Sequence, residues 1–233
     1  MRIPLITLGL VALAACTKAP PTPGVIIGVV RFTGTVPPPK VLTMDAEEAC
    51  QKLHDKPVEE QVVITGAGGA LANAFVYVKD GLPKDLKFTP PAATPVIEQK
   101  GCQFSPRITA VMAAQTFAVK NSDPVSHNIH PEPKNNYDWN QQQAPGAPDL
   151  KRKFARHEVM IPVKCNIHAW MRAYIAVMEH PFYAVTGADG AFTLKDVPPG
   201  KYKVGVWHEA LGERELDVTV AEGGRVEQSV TYP

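Results

Sequence analysis

The chain has 233 residues, and its composition restricts the kinds of protein it can be. Its 24 basic and 23 acidic residues give a formal net charge of +1, so charge points to no polyanionic partner such as a nucleic acid. The 23 prolines are about twice the ordinary share of roughly 5%, which excludes helical bundles, coiled coils and helical membrane proteins.

The N-terminus has the pattern of a bacterial lipoprotein signal. Arg2 supplies a positive charge, residues 3–13 form an apolar stretch, and Leu-Ala-Ala precedes Cys16. This pattern predicts removal of residues 1–15 and lipidation of the Cys16 thiol, with the Pro-rich residues 16–23 as an extended tether. An ordinary signal peptide followed by a chance cysteine is the alternative. We therefore expect the protein to be lipid-anchored on the periplasmic side of a bacterial membrane, where disulfides form.

Short segments of alternating or β-branched residues recur along the rest of the chain, separated by Gly and Pro, as is typical of an all-β sandwich or barrel. One short helix is predicted at residues 44–54, where acidic residues come first and basic residues come last. Residues 131–150 are polar and without a strand pattern, which predicts a long loop. Examples of these strand-like segments are residues 25–32, 61–65, 74–78, 116–120, 174–178, 191–194, 201–207, 215–220 and 226–231.

In the C-terminal region, residues 185–194 read as two strands joined by an Asp-Gly turn, and residues 197–204 contain a Pro-Gly turn. By these features, residues 181–233 resemble the carboxypeptidase regulatory-like family, a transthyretin-like β-sandwich module. The strands that usually open such a module have counterparts far upstream. We therefore expect residues 24–92 to pair with the C-terminal module, with another domain inserted between them. The alternative is that residues 24–92 only decorate the middle domain.

The middle of the chain carries four potential metal ligands in two short segments. His127 lies in the first segment, and Cys165, His168 and Met171 follow with the spacing C-x2-H-x2-M. One thiolate, two imidazoles and one thioether form a soft ligand set, which favours copper. Zinc takes the same thiolate and imidazoles but rarely a methionine, so zinc is the less favoured alternative. His130 should fall on the opposite face of its strand from His127, in a packing or surface position.

Residues 93–180 resemble the cupredoxins, the small blue-copper proteins, and especially their amicyanin and plastocyanin branch. The C-x2-H-x2-M loop and the stretch at residues 121–130, with Asn128 directly after the first histidine, carry the resemblance. It implies a Greek-key β-barrel or sandwich with one mononuclear type 1 copper ion. It also implies that Asn128 ties the two ligand loops together by hydrogen bonds. The implied copper ligands are His127, Cys165, His168 and Met171.

The resemblance leaves two cysteines to be assigned. With Cys16 lipidated and Cys165 on the metal, Cys50 and Cys102 remain, and we predict a disulfide that joins the helix to the first strand of the copper domain. A metal pair of Cys50 with His54 is the alternative.

These features predict an exported protein that carries single electrons and is not an enzyme. The expected partners are an exported redox protein or dehydrogenase, met transiently, and the membrane, reached through the lipid. In the proteins that residues 93–180 resemble, the ring edge of the second histidine reaches the surface, so His168 is the expected electron port within an apolar patch of Ile167, Ala169 and Trp170. Copper storage or delivery is one alternative function, and a structural β module with a degenerate metal site is another.

Overall fold

The computed structural model describes residues 20–44 and 47–233 of the chain. The predicted signal peptide, the lipidation site Cys16 and the first half of the predicted tether, residues 16–19, lie outside the described residues. Within the described part, almost all regular structure is strand, which confirms the all-β class with one short helix. None of its helical segments is long and apolar enough to cross a bilayer.

The strands are short, and a single α-helix, α1 (Glu48–Gln51), precedes most of them in the described chain. The strands, in chain order, are β1 (Gly24–Phe32), β2 (Lys40–Val41), β3 (Glu59–Glu60), β4 (Phe75–Asp80), β5 (Val96–Lys100), β6 (Gln103–Ser105), β7 (Ile108–Met112), β8 (Phe117–Asn121), β9 (His127–Pro131), β10 (Gln141–Gln143), β11 (Leu150–Arg152), β12 (Glu158–Lys164), β13 (Arg172–Met178), β14 (Tyr183–Val185), β15 (Ala191–Val197), β16 (Gly200–His208), β17 (Gly212–Val220), β18 (Arg225–Glu227) and β19 (Val230–Tyr232).

A first sandwich forms from the middle of the chain. One sheet has the strand order β10-β9-β12-β13-β7, and the other has the order β11-β8-β5-β6. Side chains that alternate along these strands fill the space between the sheets, among them Ile97, Phe117, Ile129 and Ile175, all fully buried. Burial of each such side chain contributes roughly 1.5–3 kcal/mol. This core supports the strand ends that carry His127 and Cys165.

A second sandwich combines strands from both ends of the described chain. Its sheets are β15-β1-β18, with β19 also paired to β1, and β14-β4-β16-β17. The N-terminal strands β1 and β4 therefore pair with strands of the C-terminal region, and the first sandwich is inserted between them. The domain boundaries at residues 92 and 180 remain predictions.

The two strands expected on either side of the Asp-Gly turn form as β14 and β15, but they enter different sheets. β14 pairs with β4, whereas β15 pairs with β1. Gly190 has a φ of +65°, and a Cβ there would lie 2.4 Å from the carbonyl oxygen of Val30. The glycine thus lets the turn pack against β1 and carry the chain from one sheet to the other.

An apolar interface and a buried ion pair join the two sandwiches. Phe75 of the second sandwich packs in one buried cluster with Ile108 and Met178 of the first. Beside it, Arg107 donates from Nε and Nη2 to the Glu209 carboxylate at 2.8 and 2.6 Å. The side chain of Glu209 is only 9% exposed, so this ion pair is largely withdrawn from water.

The helix is shorter than predicted. Residues 44–54 contain only the four-residue α1, and no described side chain caps its N-terminus. Cys50, within α1, is fully buried. A covalent tie and core packing, rather than helix propensity, therefore hold this segment in place.

The expectations for residues 131–150 and for residues 61–65 are each wrong in part. The predicted loop at residues 131–150 contains β10, a run of three glutamines in which Gln143 is buried and donates to the carbonyl oxygen of Val119 at 3.2 Å. Pro162 interrupts the pattern of β12, where its side chain is exposed. Conversely, residues 61–65 form no strand beyond an isolated bridge from Thr65 to Leu71.

Candidate metal centre

Neighbouring strand ends bring the two ligand segments together at one end of the first sandwich. β9 begins at His127, and β12 ends at Lys164, directly before Cys165. β9 and β12 are antiparallel neighbours, with Lys164 opposite His130. If the same register continues beyond β12, the residues that follow Lys164 run back alongside Asn128 and His127. The chain then turns into β13, so Cys165, His168 and Met171 all lie in one tight loop.

Three donor atoms converge at this point. Nδ1 of His127 lies 2.9 Å from Nδ1 of His168, which lies 3.8 Å from Sγ of Cys165. All three side chains are buried, and their donor atoms lie within 4.8 Å of one another. Two metal–nitrogen bonds can span roughly 4.1 Å, which exceeds the 2.9 Å between the two Nδ1 atoms. One metal–nitrogen and one metal–sulfur bond can span roughly 4.4 Å, which exceeds the 3.8 Å between Nδ1 of His168 and Sγ of Cys165. One thiolate with two imidazoles therefore fits a single soft metal ion.

Met171 ends the ligand loop and points into the same apolar core. Its amide donates to the carbonyl oxygen of His168 at 2.9 Å, and its own carbonyl accepts the amide of Cys165 at 3.3 Å. The Met171 side chain is 1% exposed and belongs to the buried cluster that contains Cys165. The fourth predicted donor is thus buried in the same cluster as Cys165.

Asn128 joins the two ligand segments, as the resemblance implies. Its Oδ1 accepts the amides of Asn166 at 2.5 Å and Ile167 at 3.3 Å, and its Nδ2 donates to Oδ1 of Asn140. Its backbone amide points at Sγ of Cys165, at 3.5 Å. One side chain therefore fixes the loop that carries the thiolate.

The surroundings of Cys165 favour the thiolate. Burial alone would raise its pKa, but hydrogen bonds from His127 and from the amides of Asn128, His168 and Ile167 outweigh burial and lower it. Among the described cysteines, Cys165 is the one outside a disulfide. The nucleophilic, metal-binding form of this side chain is thus stabilised in a buried position.

Asp123 lies against the donor cluster, although the sequence alone does not single it out. Its Oδ2 lies 2.8 Å from Nε2 of His127, and its two oxygens accept the amides of Gly101 at 2.6 Å and Cys102 at 2.8 Å. A carboxylate at Nε2 keeps the proton there and leaves the Nδ1 lone pair of His127 free for a metal. Burial lowers the pKa of His127, but the hydrogen bonds to Cys165 and Asp123 raise it more, so the net shift is upward. The only sequence signal was an acidic residue four positions before the histidine.

His168 does not reach the surface, and the expectation of an exposed ring edge is wrong. The residue is 1% exposed, and its Nε2 faces Sγ of Cys50 at 3.6 Å and Oε2 of Glu47 at 3.8 Å. The segment around α1 covers the edge that was expected to be open. Ile167 is 46% exposed and Ala169 is also exposed, so an apolar surface does flank the buried ring.

The structure joins Cys50 to Cys102 by a disulfide with a Cα–Cα distance of 5.8 Å. Cys102 lies in the turn between β5 and β6 rather than within the first strand, and its carbonyl accepts Nε1 of Trp170 at 2.9 Å. His54, the alternative partner of Cys50, instead approaches the carbonyl oxygen of Gly101 at 2.9 Å.

His130 lies apart from the converging donor atoms. Its Nε2 is 3.0 Å from Oδ1 of Asp138, and its Nδ1 is 3.3 Å from Oδ1 of Asn166. The side chain is 16% exposed and belongs to a polar network on the outer side of β9. The two histidines of this strand therefore have different surroundings.

Comparison with solved structures returns several copper proteins. The Cu-containing nitrite reductase (NirK) from Thermus scotoductus SA-01 is similar over 43% of this chain, with 15% identity and a TM-score of 0.35. The match covers 26% of the reductase, so this chain spans about a quarter of that protein's length.

Two smaller proteins are matched over nearly their whole length. The purple cupredoxin from Nitrosopumilus maritimus is similar over 36% of this chain and 98% of its own, with 18% identity and a TM-score of 0.31. Amicyanin from Paracoccus versutus is similar over 44% of this chain and 96% of its own, with 16% identity and a TM-score of 0.33. No family model and no curated protein matches the chain.

Proposed function

We propose that this chain binds one copper ion and carries single electrons. The observation that supports this most is the convergence of Cys165, His127 and His168, all buried, with their donor atoms within 4.8 Å of one another. Two imidazoles and a thiolate, with Met171 buried in the same cluster, form the ligand set of blue-copper electron-transfer sites. A copper ion held there would supply a couple between Cu(I) and Cu(II).

The chain's own residues keep the donors in place. Asn128 fixes the loop of Cys165, and Asp123 fixes the ring and tautomer of His127. The apolar core around Met171 excludes water from the donors. Because these contacts do not depend on the charge of the metal, the ligands need to move little when an electron arrives or leaves.

We propose that the partner is an exported redox protein or dehydrogenase met transiently, and that the chain itself is not an enzyme. The exposed, apolar Ile167 and Ala169 beside buried His168 support this, because a small apolar contact suits a complex that must dissociate after each transfer. Anchoring through Cys16 on the periplasmic side of a membrane belongs to the same proposal and is supported by the pattern of residues 1–16.

The test is to load the purified full-length protein, in detergent, with Cu(II). We expect one copper per chain and an intense visible absorption band from thiolate-to-copper charge transfer. Cys165→Ser should abolish the band, whereas the control His130→Gln should keep it, because His130 lies outside the donor cluster. A coloured Cys165→Ser variant would remove the thiolate from the site.

Voltammetry then distinguishes electron transfer from copper storage or delivery. A reversible one-electron wave with slow loss of Cu(I) to a chelator supports electron transfer. Rapid hand-off of Cu(I) without a reversible wave would instead favour copper storage or delivery.

A further inference from the structure

A chain of contacts links the outer edges of the two ligand histidines. Nε2 of His127 lies 2.8 Å from Oδ2 of Asp123, and the same oxygen accepts the amide of Cys102 at 2.8 Å. Cys102 is bonded to Cys50, whose Sγ lies 3.6 Å from Nε2 of His168. Because the Nδ1 atoms of the histidines are 2.9 Å apart, these contacts close a ring around the centre.

Every member of this ring is buried. Cys50, Cys102 and His127 are fully buried, His168 is 1% exposed, and Asp123 is 6% exposed. Polar contacts are strong in such surroundings, and leaving a polar atom without its partner costs about 1–3 kcal/mol or more for a charged group. The ring should therefore behave as a connected unit rather than as separate contacts.

Further contacts hold the disulfide in this position. The Asp123 carboxylate also accepts the amide of Gly101 at 2.6 Å, and Trp170, two residues after His168, donates to the carbonyl oxygen of Cys102 at 2.9 Å. On the other side, α1 has only four residues. The disulfide is therefore the covalent tie that holds Cys50 against the imidazole of His168.

We propose that Asp123, Cys102 and Cys50 form a bracket that positions both histidine ligands, so that the disulfide helps to retain the metal although neither of its sulfurs is a ligand. The inference rests on the proposed metal centre. A disulfide that only stabilised the fold would affect the global free energy of unfolding and nothing else. A bracket predicts in addition that cutting the disulfide disturbs His127, on the far side of the centre, through Cys102 and Asp123.

The first test measures the rate at which copper passes from the protein to a chelator. Asp123→Asn, and separately the pair Cys50→Ser with Cys102→Ser, should each speed copper loss about 10- to 100-fold, the range typical of residues that orient ligands. Both changes break the same bracket. All three substitutions together should therefore accelerate copper loss by less than the product of the two separate factors. Val204→Ala, in the core of the second sandwich, is the control for lost stability and should leave the rate nearly unchanged. Fully multiplicative effects, or an unchanged rate in the serine pair, would overturn the proposal.

The second test needs no copper. Nitrogen-15 NMR of the histidine rings in the metal-free protein should show His127 in a single tautomer, protonated at Nε2. In the serine pair, we expect the ring signals of both His127 and His168 to shift towards averaged tautomers while the backbone spectrum of the second sandwich is retained. Unchanged His127 signals would contradict the bracket. This reading stands whether or not the wild type binds copper, so failure of the bracket and failure of the proposed function remain distinguishable.

Discussion

The Sγ atom of Cys50 lies 3.6 Å from Nε2 of His168, although the two residues are 118 positions apart in the chain. The contact covers the ring edge that was expected at the surface. Under the proposed function, an electron leaving the centre would pass through the cover around α1 or through the exposed apolar residues of the ligand loop.

Ala169→Glu tests the second of these routes. The residue is exposed and adjacent to His168, so a carboxylate there should leave the copper spectrum nearly unchanged but slow electron exchange with the partner. Ala191→Glu, at an alanine of the second sandwich that is also exposed, is the matched control. The measurement is the rate of self-exchange and partner exchange at several ionic strengths. Equal rates in both variants and the wild type would place the route elsewhere.

Met171→Leu tests the role of the buried thioether. Leucine has nearly the volume of methionine, so the free energy of unfolding should fall by less than about 1.5 kcal/mol. The centre should keep its copper, and its reduction potential should rise, because a weak axial sulfur that helps to stabilise Cu(II) is lost. Voltammetry and metal analysis check this. Complete loss of copper would show that the site is not of this type.

Arg107→Met tests the joint between the two sandwiches. Loss of the Arg107 guanidinium leaves the buried Glu209 carboxylate without this cation. The free energy of unfolding should therefore fall by about 3–5 kcal/mol. Lys203→Met is the control, because its ion pair with Asp217 is half or more exposed and should contribute less than about 1 kcal/mol. Urea unfolding measures both. Similar losses in the two variants would argue against a structural role for the buried pair.

His180 should make stability depend on pH. It is 9% exposed, and burial lowers its pKa to about 4, against about 6.5 in the unfolded chain. Between these values the unfolded state binds a proton that the folded state does not, so the free energy of unfolding rises with pH across this window and is level above it. This residue should account for about 3 kcal/mol of the change in the free energy of unfolding across the whole window.

His180→Asn keeps an acceptor for the amide of Phe182, which lies 3.2 Å from Nδ1 of His180, but it cannot titrate. Urea unfolding at about pH 4.5 and about pH 7.5 should therefore show a smaller difference in the variant than in the wild type. An identical pH dependence would mean that His180 is protonated in the folded state or is not protected from solvent.

The sequence predicted what depends on residue type and local spacing. The all-β class follows from short apolar runs between Gly and Pro, and the convergence of His127, Cys165 and His168 follows from a soft ligand set with tight loop spacing. Tertiary packing decided what was missed. Asp123 acts through a fold-dependent contact to His127, and the burial of His168 depends on a disulfide between distant segments. The turn at Gly190 connects two sheets because of its contact with β1, which local turn preferences do not encode.

X-ray absorption at the copper edge tests most directly whether one thiolate and two imidazoles hold a single copper ion. We expect one sulfur at about 2.3 Å and two imidazole nitrogens at about 2.0 Å in the copper-loaded wild type, with the sulfur shell lost in Cys165→Ser. A wild-type spectrum that contains only nitrogen and oxygen neighbours, or a sulfur shell that persists in Cys165→Ser, would contradict this coordination.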